Sequence, residues 1–512
     1  MQHKYCLIQQ HRNSSFLSKE SIFSMKIPSK FLSFFLASVL FFTTLIPSTA
    51  MADESNQTPT CQTPMYCQEQ QQIFILSLLS NAVVGIADTQ PNLQNDFTSK
   101  VTNALKDSTV QEYIGKWDVV WGPAVYQANA LDADFATNSM FVAKNQENNE
   151  YVVAMAGTNP VSVYDWFVED FDVSNQVPFD AFTKEPLPSS CDKVTIPASK
   201  NGTNISKGTC EGLLTLLTMP DPTTNQHLKT FLEGEIGQNP SNVKLIFTGH
   251  SLGGALSPAL ALAINELEDG KWSDIISVYP SAGPTSGNQG FSDYYDKTLG
   301  NQTTRIWNKI DVVPHAWEEN LIAEVSTLYP ELDIKTISGK DTNGPGILAC
   351  TLIGLAEKNA ENGDYTQIRP DVKGLPGQYK QNPSLIPSKD NDSTSESISI
   401  SSVDEIDGVS LKTLDSLLTD IKELIDLPQQ GCPNVSKTRL GIEVTDPYKE
   451  GKNFYDFMNE VAYQHLNEYN NLLGVEDLSS HLVTNNYVNF GSLPTLGEIV
   501  TTISNKIQEE KK

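Results

Sequence analysis

The sequence predicts an α/β fold, a central and mostly parallel sheet with helices on both faces, and three observations carry that expectation. The first is a junction. The hydrophobic run Val243-Lys244-Leu245-Ile246-Phe247-Thr248 passes straight into Gly249-His250-Ser251-Leu252-Gly253, which opens the Ala/Leu-rich stretch Gly254-Ala255-Leu256-Ser257-Pro258-Ala259-Leu260-Ala261-Leu262-Ala263. That is strand, tight turn and helix in direct succession. The second is the recurrence of buried strands between helical stretches, at Asp274-Ile275-Ile276-Ser277-Val278-Tyr279 and Thr304-Arg305-Ile306-Trp307-Asn308-Lys309-Ile310. The third is a hairpin, Met140-Phe141-Val142-Ala143-Lys144 and Tyr151-Val152-Val153-Ala154-Met155 around the turn-rich residues 145–150.

The remaining elements follow in chain order. Met25-Lys26-Ile27-Pro28-Ser29-Lys30 is basic, residues 31–46 are largely apolar, and Ala50-Met51-Ala52 is a small-x-small triplet before Asp53. Basic, apolar and small in that order is the pattern of a secretory signal peptide, so residues 1–52 are expected to be a leader, with translation starting at Met25, and 53–512 the mature domain. Residues 70–87 read as an amphipathic helix, followed by polar helical segments to about Gly115. Residues 231–234 end a helix before the central strand. The pattern breaks after about residue 320, and an insertion is expected at about 320–450. Within it, the Ser- and acid-rich residues 388–407 read as a mobile linker. Leu414, Leu417, Leu418, Ile421, Leu424 and Ile425 then share one helical face, expected to pack on the domain, with a lipid-facing surface as the alternative.

Charge and cysteine content exclude several functions. Asp and Glu number 62 against 35 Lys and Arg, a net −27, and loss of 1–52 removes five basic residues and one acidic residue, leaving −31. Such a surface repels nucleic acid at long range, and no basic cluster offsets it. Six of the seven cysteines lie beyond the leader, an even number that favours disulfides in an exported chain. Pairing between sequence neighbours, Cys61–Cys67, Cys191–Cys210 and Cys350–Cys432, needs the least rearrangement of the chain. Zinc is the rival, but the spacing lacks paired C-x-x-C and no histidine accompanies it.

Ser251 stands where a strained turn lifts a hydroxyl to the end of a sheet. Gly249 and Gly253 are needed there because a Cβ on either would obstruct the closing of strand on helix. A serine so placed becomes a nucleophile when a base takes its proton and a carboxylate orients the base. In chains built on this unit the acid and base follow the serine. Asp311 emerges where the strand ending at Ile310 meets Val312-Val313-Pro314. Of the seven histidines, His3 and His11 belong to the leader region, His227 lies upstream, and His250 adjoins Ser251 but points away from it. His315 is four residues from Asp311 and is expected at the rim, which leaves His465 and His481 as candidate bases. The backbone N–H of Leu252 is one donor for a developing oxyanion. Ala156-Gly157-Thr158, at the end of the hairpin's second strand, offers another.

These stretches together resemble the class 3 lipases, the fungal-lipase-like branch of the α/β-hydrolases. The resemblance rests on Val152-Val153-Ala154-Met155-Ala156-Gly157-Thr158 with Asp165-Trp166, and on residues 249–254. It also rests on Ser281-Ala282-Gly283-Pro284 with Gly287-Asn288 and Phe291, and on Asn308-Lys309-Ile310-Asp311-Val312-Val313-Pro314. It implies an α/β-hydrolase fold with Ser251 as nucleophile, Asp311 as orienting acid, and Thr158 and Leu252 as oxyanion donors. It favours His465 as base, and it implies a mobile lid at about 159–173 carrying Trp166, Phe167 and Phe171. The chain departs from the family at Ala156, where Arg is usual, and in the 154 residues between Asp311 and His465. The function so implied is a secreted serine carboxylic-ester hydrolase acting on acyl lipids at an oil–water interface, a triacylglycerol lipase, with no metal or organic cofactor. Transient contact with a membrane or lipid surface goes with it. A phospholipase A1 or a soluble-ester esterase is the alternative among enzymes. A catalytically silent lipid-binding protein on the same scaffold is the alternative of another class.

Overall fold

The computed structural model describes residues 64–128, 134–156, 172–237, 240–332, 346–380 and 447–489, with a few positions at 405–416 and 497–504. The leader, nearly all of the linker and most of the apolar stripe lie outside the described residues, although Leu414 of that stripe is buried.

Five strands form the main sheet: β1 (Asp118–Tyr126), β2 (Asn138–Asn145), β3 (Glu150–Ala156), β4 (Lys244–His250) and β5 (Ile276–Ser281). Their spatial order is β5-β4-β3-β2-β1. β5, β4 and β3 run parallel, while β2 returns antiparallel to β3 and β1 antiparallel to β2. The sheet is therefore mixed, with its parallel half around β4. Residues 304–310 run beside β5 as isolated parallel bridges at Thr303 and Ile306 in place of a continuous ladder.

Alternation along the strands sends side chains into two separate cores. Met140, Val142, Tyr151, Val153, Met155, Leu245, Phe247, Ile276 and Val278 meet helices α3 (Lys207–Thr218) and α4 (Leu252–Leu267). Phe141, Ala143, Val152, Ala154 and Ile246 face helices α1 (Pro64–Leu79) and α2 (Gln90–Lys106). Each fully buried Leu, Ile or Phe contributes about 1.5–3 kcal/mol, so neither face tolerates exposure. α4 is apolar all round because it lies between the sheet and α3, where a Cβ on Gly212 would strike Leu256.

Two elements differ from expectation for identifiable reasons. The helix read over 70–87 stops at Leu79, where Ser77, Ser80 and Asn81 turn their side chains back onto preceding carbonyls. β1 gave no strand signal because Gly122-Pro123 interrupts it. Proline is accommodated there because β1 is an edge strand whose pairing shifts register on either side of the interruption. Asp221 accepts the Gly122 N–H at 2.6 Å and so satisfies that edge.

Downstream lie helix α5 (Gln289–Leu299), helix α6 (Gly346–Ala360) and helix α7 (Pro447–Ala462). Residues 364–369 join the domain directly: the Asp364 carbonyl accepts the Gln289 N–H, and Asp296 accepts the Arg369 N–H. Cys191 and Cys210 are disulfide-bonded, with Cα atoms 6.1 Å apart. Cys350 is also disulfide-bonded. Cys61 and Cys432, the remaining partners of the expected pairings, fall outside the described residues, as does the Cys67 side chain. Among the described residues no helix is long and apolar enough to cross a membrane.

Candidate active site

Strand β4 ends at His250 and helix α4 begins at Leu252, so Ser251 alone makes the turn, at φ 65° and ψ −127°. A non-glycine residue at positive φ costs of order 1–3 kcal/mol and persists only where its surroundings enforce it. Here the enforcement is steric. A Cβ at Gly249 would run into the Gly253 carbonyl, one at Gly253 into the Met155 carbonyl, and one at Gly254 into that of Ser281. Strand, turn and helix thus close at backbone contact and push the Ser251 side chain outward. Leu252 is the first residue of α4, so its N–H is among those a helix leaves without an internal partner.

Asp311 follows a turn at Asn308–Ile310 beside β5 and is completely buried. Its Oδ1 accepts the Val313 N–H at 3.0 Å. Its Oδ2 accepts the Tyr469 hydroxyl at 2.9 Å and His465 Nδ1 at 2.9 Å. Because an ionised carboxylate only accepts, Nδ1 carries the imidazole proton and Nε2 is left to accept. Nε2 lies 2.8 Å from Ser251 Oγ. Serine hydroxyl, imidazole and carboxylate therefore form one buried, hydrogen-bonded chain.

His465 reaches this position from a single π-helical turn, Tyr463–Asn467, that follows α7. Such turns alter the direction in which side chains leave a helix, and they recur at functional sites. Below the ring lies His250, with centroids 4.8 Å apart, and Tyr469 meets His250 edge-on at 5.5 Å. Burial, with the neighbouring His465 ring adding to it, holds His250 well below the ordinary histidine value, so it stays neutral. Among the described residues its Nε2 has no hydrogen-bond partner. Burial likewise raises Tyr469 well above the ordinary tyrosine value, and nearby Asp311 adds to the shift, so the hydroxyl keeps the proton it donates.

The structure brings Ser251, Leu252, Asp311 and His465 to one place and sends the other candidate base elsewhere. His481, on helix α8 (Glu476–Thr484), bonds through Nε2 to Asp107 Oδ2 at 3.1 Å, far along the chain from Ser251. His315 is not at a rim. It is buried, and its Nδ1–H donates to the Asp311 carbonyl at 2.7 Å, so its short separation from Asp311 makes it a brace for the turn. Gly157, Thr158 and the expected lid with Trp166, Phe167 and Phe171 lie outside the described residues. Sequence reasoning missed Tyr469. Its only signal was a tyrosine one helical turn after a candidate histidine, which is too common a spacing to single out. Among the described residues no group of three or more His, Cys, Asp or Glu is arranged to hold a metal ion.

With this geometry in hand, comparison with known proteins is informative. Residues 152–320 match the family model described as lipase (class 3). A lipase from Rhizomucor miehei is 36% identical over 91 residues, 18% of this chain and 24% of that protein, so the match spans about a quarter of the relative's length. The crystal structure of M37 lipase superposes with a TM-score of 0.54 at 26% identity, over 82% of this chain and 99% of that one. A Rhizomucor miehei lipase propeptide complex aligns over 49% of this chain and 62% of its own, at 20% identity and a TM-score of 0.34.

Proposed function

We propose that the chain is a class 3 lipase of the α/β-hydrolase superfamily, on the match over residues 152–320 and the fold it shares with M37 lipase, and that it hydrolyses carboxylic esters of acyl lipids by a serine acyl-enzyme mechanism, as an exported triacylglycerol lipase. The observation that supports this most is the hydrogen-bonded chain from Ser251 Oγ through His465 to Asp311, at 2.8 and 2.9 Å.

His465 Nε2 takes the Ser251 proton as Oγ attacks the ester carbonyl. The imidazolium that forms is stabilised by Asp311, whose second oxygen is already fixed by Val313. The carbonyl oxygen, now negative, is held by the N–H of Leu252 and by Thr158. His465 then returns its proton to the departing alcohol, leaving the acyl group on Ser251. Water, deprotonated by His465 in turn, releases the carboxylic acid and restores the serine hydroxyl. Every proton that leaves Ser251 or water passes through one nitrogen.

A lipid ester is favoured over a soluble one by the family and by the lipase whose fold this chain shares over most of its length. Export is supported by the signal-like leader and by the Cys191–Cys210 disulfide. The test is hydrolysis of emulsified triacylglycerol, phospholipid vesicles and a short soluble ester by wild type and Ser251→Ala. Wild type should favour the emulsion, with a rate that climbs abruptly beyond the solubility limit. The variant should fold normally, lose at least about four orders of magnitude on every substrate and fail to react with a fluorophosphonate. Near-normal turnover by Ser251→Ala would remove the proposal. A smooth rise through the solubility limit would reassign the substrate to soluble esters.

A further inference from the structure

His465 stands 154 residues after Asp311, on a helix reached only after the long insertion. No short covalent connection fixes the two against each other. Yet a general base must sit within hydrogen-bond reach, and a displacement of about 1 Å can cost on the order of 10²-fold in rate. Something else must set that distance, and residues 375–380 lie between the two groups.

On one side this segment is laid beside the turn that carries Asp311. The Leu375 N–H donates to the Trp307 carbonyl at 2.7 Å, and the Lys309 N–H donates to the Leu375 carbonyl at 3.0 Å. Gly377 then passes so close to the Asn308 amide that a Cβ would collide with it. On the other side the segment is held by the helix that carries His465. The Lys380 N–H donates to Glu460 Oε1 at 3.0 Å, and the Gln378 N–H donates to Glu468 Oε1 at 3.1 Å. Gln464 Nε2 donates to the Gln378 carbonyl at 2.7 Å. Glu460, Gln464 and Glu468, at four-residue spacing, form one helical face turned to the segment.

Gln464, the neighbour of His465, joins the two sides directly. Its Oε1 accepts Asn308 Nδ2 at 2.7 Å, and its Nε2 also donates to Glu460 Oε1 at 2.7 Å. Both amide protons and the amide oxygen are thus engaged, in a site where Gln464 and Asn308 are fully buried. Asn308 continues the connection to the acid: its N–H donates to the Tyr469 hydroxyl at 2.9 Å, and that hydroxyl donates to Asp311.

We infer that residues 375–380 are a strap which, through the positioning residues Gln464, Glu460 and Asn308, holds His465 in register with Asp311. The inference rests on the hydrolase reading above. In chains where acid and base are close in sequence a short loop would do this work; here hydrogen bonds from a segment within the insertion do it.

The test compares Gln464→Glu with the double variant Gln464→Glu/Glu460→Gln, in the full-length protein on a soluble ester. The single change keeps size and the acceptor toward Asn308, but sets a carboxylate against Glu460 and the Gln378 carbonyl. The double change restores a donor–acceptor pair between positions 460 and 464. Active sites are counted by fluorophosphonate titration, so that rate per folded site is measured. For the single variant kcat per titrated serine should fall about 100-fold with KM within about twofold, and the double should recover at least about tenfold of it. Gly377→Ala, which crowds Asn308 without altering the helix, should lower kcat in the same way and serves if Gln464→Glu does not fold. The inference is overturned if Gln464→Glu or Gly377→Ala turns over at wild-type rate per site, if the whole loss lies in the number of titratable sites, or if the double variant is no faster than the single. An active Ser251→Ala would instead defeat the hydrolase reading itself, while an inactive Ser251→Ala beside a normal Gln464→Glu would defeat only the strap.

Discussion

Two clusters in this molecule are built from the same three residue types. In one, Asp311 Oδ2 accepts His465 Nδ1 at 2.9 Å and the Tyr469 hydroxyl at 2.9 Å. In the other, Asp107 Oδ2 accepts His481 Nε2 at 3.1 Å and the Tyr487 hydroxyl at 3.1 Å. The contrast lies in what surrounds them. The side chains of His465 and Asp311 are 0% exposed, whereas those of His481 and Asp107 are 27% and 16% exposed. The second ring nitrogen of His465 meets a serine hydroxyl, while that of His481 meets the Asn485 amide. Asp107 is further occupied, because its Oδ1 caps the helix Ser108–Ile114 by accepting the Thr109 and Val110 N–H groups. A His–Asp–Tyr set is therefore not in itself a chemical site. One sets its histidine against a serine hydroxyl in a buried environment; the other fastens helix α8 to the helix that Asp107 caps.

The widest separation between the clusters should come from deleting each histidine. His465→Ala should lower kcat by about four orders of magnitude or more, and His481→Ala should leave it within about twofold, measured on a soluble ester with protein of verified fold. An inactive His481→Ala beside an active His465→Ala would exchange the roles assigned to the two clusters. The tyrosines sharpen the comparison. Tyr469→Phe removes a hydrogen bond to the buried carboxylate, worth on the order of 1.5 kcal/mol, so kcat should drop about tenfold. Tyr487→Phe should not change it.

Stability should separate them in the opposite sense. Asp107→Ala should cost about 1–2 kcal/mol through the lost cap, seen as a lower urea midpoint, with kcat unchanged. Burial alone would raise Asp107, but its bonds from His481, Val110, Thr109 and Tyr487 outweigh this and hold it below the ordinary 3.8. Its contribution is thus complete above that value and disappears as pH falls through the lower native one.

The smallest effect is a slope with pH. Burial depresses both His250 and His315 below the ordinary 6.5, the His465 ring adding to the effect at His250 and the Asp311 carbonyl opposing it at His315. Below about pH 6.5 the unfolded chain binds protons that the folded one refuses, so stability falls as the solution is acidified. Each group contributes at most about 1.4 kcal/mol per pH unit. His315→Gln should flatten the decline in urea midpoint between about pH 6.5 and 5, and an unchanged slope would show that the ring is protonated in the folded state.

Much of this arrangement is legible before folding because it is local. Residues 243–263 specify strand, turn and helix through composition alone, since Gly249, Gly253 and Gly254 are the residues whose missing Cβ atoms let the turn close. The alternation in residues 140–155 likewise specifies a hairpin, and Asn308-Lys309-Ile310-Asp311 marks an acid beside the sheet, although residues 304–310 form isolated bridges instead of the expected strand. Tertiary structure decided the rest. The resemblance favoured His465 over His481, but the geometry that sets the two apart depends on the position of α7 relative to β4, across contacts more than a hundred residues apart. The π turn that aims His465, the burial of His315 and the hydroxyl of Tyr469 on Asp311 leave no periodic trace. Periodicity reports which face of an element is apolar; it does not report which buried polar groups meet, because those meetings are fixed by packing between elements distant in the chain.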